Sequence, residues 1–111
     1  MDKPEIAAGL LARAFASGES MTDTKKIRRH AGEMAGRSRA ELFWGSKGAT
    51  QDFVVLMECV LLWERALLAV RVSAGDRGES ILLLERGHEA MASADPAAAA
   101  LAALRESGFA G

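Results

Sequence analysis

A chain of 111 residues, half of them hydrophobic, is the size of one domain and can bury about 60 to 70% of the surface its unfolded form exposes. A net charge of −1 excludes a general attraction to nucleic acid or acidic membrane, and a single cysteine excludes a disulfide framework. The charge is unevenly spread, because Lys25, Lys26, Arg28, Arg29, Arg37 and Arg39 are opposed within their segment only by Glu33, which leaves +5 there and −6 in the remainder.

The first predicted element is a short amphipathic helix. Pro4 suits its first turn, Ala7, Leu10, Leu11, Ala14 and Phe15 share one face, and Gly18 stops it. The apolar patch around Phe15 does not read as a secretory leader, since Asp2 and Glu5 spoil the basic flank and Arg13 interrupts the run. Thr22 or Thr24 can cap a second helix reaching about Phe43, with Ile27, Ala31, Met34, Ser38 and Leu42 on its apolar face. Gly45, Ser46, Lys47 and Gly48 form a linker without the spacing of a phosphate-binding loop.

The third helix, capped by Thr50, dominates the chain. Of the twenty residues 53–72, sixteen are apolar and only Glu58, Glu64, Arg65 and Arg71 are charged. At helical spacing Leu56, Val60, Trp63, Leu67 and Val70 form one stripe, with Val55, Cys59, Leu62, Ala66 and Ala69 beside it. Glu58 and Arg65 lie a heptad apart on one narrow strip and Glu64 and Arg71 on another, with Leu61 and Leu68 between them. Glu64 and Arg65 near the middle of the run each cost about 2.5 to 3.5 kcal/mol in a bilayer, which argues against a membrane span. A helix this apolar must instead be wrapped by its own chain or by another copy. Cys59, inside the run, reads as an unreactive core thiol suited to a reducing cytoplasm.

Residues 73–80 are rich in Ser, Gly, Asp and Arg and read as a loop. It joins either two helices or, with Val70, Arg71 and Val72 facing Ile81, Leu82 and Leu83, two strands; the helical hairpin is the favoured reading. The next helix is then expected over about 79–93, with Ile81, Leu84, His88 and Met91 at heptad spacing. In the last helix Asp95 caps, Pro96 takes the first turn, Leu101 and Leu104 face inward, and Gly108 and Phe109 close the end.

Three constellations carry candidate chemistry. On a helix over 25–39, Lys25, Lys26, Arg28, Arg29, Arg37 and Arg39 cover about half the circumference and could follow a phosphate backbone, with Gly32, Gly36 and Ala40 on that side. A solvated basic face is the plainer account, because no aromatic residues are interleaved. Glu85 and His88 form an E-x-x-H pair, a spacing similar to that of ferritin-like di-iron proteins, where a facing helix adds a glutamate. In a helical hairpin centred near Asp76, Glu64 falls opposite His88, so a dimer would assemble two sets of Glu64, Glu85 and His88 around iron or zinc. His30 precedes Ala31, Gly32 and Glu33 and so departs from the pattern of histidine phosphotransfer domains.

The expected fold is therefore a single all-α domain, a small bundle of four to five helices around the central apolar helix at about 53–72. The expected function is a non-catalytic interaction or regulatory module, cytoplasmic and without a cofactor, that self-associates as a dimer and could take a protein partner. The competing classes are a weak nucleic-acid binder using the basic helix and a dimeric metal protein.

Overall fold

The computed structural model describes residues 3–34, 48–73 and 79–107, with the side chains of 48–55, 73 and 79 outside the description. In chain order the elements are helix α1 (Lys3–Ala14), strand β1 (Met21–Asp23), helix α2 (Thr24–Met34), helix α3 (Gly48–Arg65), strands β2 (Ala69–Ser73) and β3 (Glu79–Leu83), and helices α4 (Glu85–Met91) and α5 (Pro96–Glu106). The molecule is mostly helical but not all-α: the three strands form an antiparallel sheet in the order β1–β3–β2.

Helix α1 is the hub. It buries Ala7, Ala8, Leu10, Leu11 and Ala14, and packs against α5, α3 and α2. Phe15 follows into the core, and Gly18, at φ +81°, takes the left-handed turn that a side chain would resist. The centre of α3 meets this hub through Leu56, Val60 and Trp63, all fully or almost fully buried. The Trp63 indole Nε1 donates to the Ala7 carbonyl at 2.9 Å, giving the one polar atom of a large buried ring a partner 56 residues away. At the far end, Asp95 accepts from the Ala98 N–H at 3.1 Å and Pro96 opens α5, as the sequence suggests.

The apolar helix does not run to residue 72. It ends at Arg65, and the chain then closes in a Schellman turn: the Leu67 N–H donates to the Glu64 carbonyl at 3.2 Å and the Leu68 N–H to the Trp63 carbonyl at 2.9 Å. Leu67 occupies the left-handed position at φ 60°. Leu68 and Trp63, the apolar pair that completes such an end, are both fully buried. Periodicity carried the helix through this point because the usual glycine signal is missing. Leu67, assigned to the buried stripe by helical phase, is 57% exposed.

Beyond the turn the chain is extended. Val70 and Val72 are β-branched and suit a strand, and β2 pairs with β3 antiparallel in the register Ala69↔Leu83, Val70↔Leu82, Arg71↔Ile81. The expected helix over 79–93 thus splits into β3 and the short α4. Alternation explains the split: Ile81 and Leu83 are buried while Leu82 between them is only partly so, a period of two that a helix does not make.

Strand β1 is a second departure from the all-α expectation. Its three residues pair with β3 from Met21↔Leu82 to Asp23↔Ser80, and the Leu83 N–H extends the ladder to the Ser20 carbonyl at 2.8 Å. Thr22 is buried in this strand, so it is not the cap of α2. Asp23 is, accepting from the Lys26 N–H at 2.8 Å.

Candidate interaction surface

Over residues 56–65 helix α3 has a buried face and an outward strip. Leu56, Cys59, Val60, Leu62 and Trp63 are covered by the rest of the chain, whereas Leu61 is 56% exposed. Residues spaced three and four apart share a helical face, so Glu58, Leu61 and Arg65 form that strip, with Leu61 between the two opposite charges. They line an open recess with Leu62 and Lys3, the first residue of α1. Lys3 Nζ lies 3.3 Å from Glu58 Oε2 in a pair that is largely solvated. The sequence already signals this strip through the heptad spacing of Glu58 and Arg65. It does not show which parts of the wider apolar surface the chain covers itself.

Beneath the strip lies Cys59. Burial away from water, with the Glu58 carboxylate adding a smaller push in the same direction, raises its thiol pKa from 9.0 to about 12. The thiol is therefore neutral at ordinary pH and belongs to the core.

The basic segment keeps its cations on the surface where it is described. Lys25, Lys26, Arg28 and Arg29 are exposed on α2, while Ile27, Ala31 and Gly32 are buried. Gly32 is thus on the buried side of α2 rather than on its charged face. Arg37 and Arg39, with Gly36 and Ala40, lie outside the described residues. Glu33, the anion of the segment, pairs with Arg13 of α1 at 3.0 Å, and His30 Nδ1 stands 3.8 Å from the same carboxylate oxygen.

The three residues proposed for metal do not gather within the chain. Glu64 faces the Arg71 guanidinium across the Schellman turn, 3.6 Å from its Nε, while Glu85 and His88 are exposed on α4. The helical hairpin that would set Glu64 opposite His88 is replaced by the β-hairpin. Among the described residues no three His, Cys, Asp or Glu side chains stand together. One polar contact that sequence reasoning missed is Arg86, which donates to the Ala66 carbonyl at the end of α3 and pairs with Glu106 of α5, both at 3.3 Å. It ties α4 to two other helices and complements the carbonyl end of α3. Among the described residues no helix is long and apolar enough to cross a membrane.

No family model, curated protein or solved structure matches the chain.

Proposed function

We propose that this protein is a non-catalytic interaction module that associates with a second copy of itself as a dimer. The observation that supports the reading is Leu61: while Val60 and Leu62 beside it are covered by their own chain, it stands 56% exposed in a recess flanked by charges of both signs. An apolar centre with a polar rim is the anatomy of a protein interface. A reducing cytoplasm suits the buried lone thiol of Cys59. Sedimentation across micromolar concentrations tests the reading. A weight-average mass rising toward two chains is expected; one chain at every concentration would refute it.

A second reading rests on a different observation, the exposure of Lys25, Lys26, Arg28 and Arg29 together on α2. In this reading the dimer, or the single chain, binds nucleic acid weakly and without sequence preference through that face. Each phosphate neutralised releases counterions, so affinity should drop steeply with salt, and Arg28→Glu with Arg29→Glu should abolish it while the circular dichroism spectrum is unchanged. Binding to a labelled duplex that ignores salt would rule this reading out.

A further inference from the structure

The outward strip of α3 is complementary to itself. Glu58 and Arg65 stand seven residues apart, and two antiparallel helices placed face to face with their twofold axis between positions 61 and 62 bring residue 58 of each against residue 65 of the other. Leu61 of each chain then sits beside the axis. At 1.5 Å per residue the two charges are about 10.5 Å apart along the helix, with the leucine near the midpoint. Such a pairing places an apolar contact at the centre and two opposite-charge contacts at its ends. The parallel arrangement would set Glu58 on Glu58 and Arg65 on Arg65. The charge pattern therefore selects one orientation and disfavours the other.

From this we infer that the self-association proposed above, on which this inference rests, is an antiparallel twofold contact of α3 with α3. Leu61 meets Leu61 of the partner near the axis, and Glu58 and Arg65 each meet the opposite charge of the partner. Neither charged side chain has to be unpaired in the single chain. Glu58 holds Lys3 in a solvated pair, and pairs of that kind exchange partners at a cost under about 1 kcal/mol. Lys3 then stands at the rim beside the new pair.

The test uses the full chain in four charge forms: wild type, Glu58→Arg, Arg65→Glu, and the double reversal. Each single variant alone sets like charges against each other at both ends of the contact. Its dissociation constant should rise about tenfold or more over wild type. The two single variants mixed, or the double reversal alone, restore opposite charges at both ends and should return to within about threefold of wild type. Leu61→Ser, at a side chain exposed in the single chain, should weaken the dimer without lowering the melting temperature of the dilute monomer, and it provides the readout if a charge variant does not fold.

Wild-type dimers unaffected by the single reversals and by Leu61→Ser would overturn the α3 contact and leave self-association standing through another surface. Weakening that neither mixing nor double reversal repairs would also overturn it. A wild type that is a monomer at every concentration would overturn both this contact and the function proposed above.

Discussion

Leu67 carries most of the sequence's misdirection. A bulky residue with φ at 60° is uncommon, and the left-handed conformation costs about 1 to 2 kcal/mol for a residue with a Cβ. Its side chain is mostly in water and contributes little packing in return. Leu67→Gly should therefore stabilise the protein by up to about 1 kcal/mol, the larger freedom of glycine in the unfolded chain offsetting part of the gain. A urea midpoint shifted upward with the slope unchanged is the expected result. Cys59 supports a pH prediction. Its folded pKa of about 12 exceeds the unfolded value of 9.0, so the neutral thiol's contribution is fully present below pH 9. It is lost as pH rises toward 12, because the unfolded state releases the proton first. Stability should fall over that window by up to about 1.4 kcal/mol per pH unit from this group, and Cys59→Ala should show a shallower decline in chemical denaturation.

At the scale of elements, the join between the hairpin and the last two helices depends on a close approach. A Cβ at Gly87 would collide with the Leu68 carbonyl oxygen and the Leu83 side chain. That carbonyl cannot retreat freely, because it accepts the Leu84 N–H at 2.9 Å and so ties the Schellman turn to the start of α4. Gly87→Ala should cost about 1 to 3 kcal/mol, the range for overpacking a close contact. Hydrogen exchange at Leu84 should accelerate in that variant, while the remote Ala98 amide, capped by Asp95, should respond only to the change in global stability. Strand β2, with no strand on its outer side among the described residues, is an edge. Arg71 shares the face of Ile81 and reaches Glu64, an inward charge that makes the edge a poor template for further pairing.

For the whole molecule, one core is shared by α1, α3, the sheet and α5, and the Trp63–Ala7 hydrogen bond spans half the chain within it. Leu56, Cys59, Val60, Leu62 and Trp63 of α3 lie in this core, so on the proposed reading the single chain should be folded before it associates. Dimerisation should then add stability by mass action, and the melting temperature should climb with protein concentration and level off at high dilution. A protein that unfolds on dilution would instead show that the second copy completes the core.

The sequence alone determined the elements that carry local signals. Pro4, Gly18, Asp95 and Pro96 mark helix ends by backbone geometry that holds in any context, and the buried faces of α1, of α2 and of residues 56–65 in α3 follow from a period of 3.6. A break in the chain over 73–80 was also legible, since Gly, Asp and Ser punctuate it, although the sequence favoured helices rather than strands on its two sides. What the tertiary structure decided is the conformation on either side of that break. An apolar run of Leu, Val and Ala is compatible with helix or strand, and the burial of Leu68 after the turn at Leu67, the pairing of β3 with both β1 and β2, and the tight fit over Gly87 choose the strand. The candidate site divides in the same way. Spacing places Glu58, Leu61 and Arg65 on one strip, but which of the many apolar residues of 53–72 stays in water depends on what the rest of the chain folds over, a long-range packing fact that no local pattern contains.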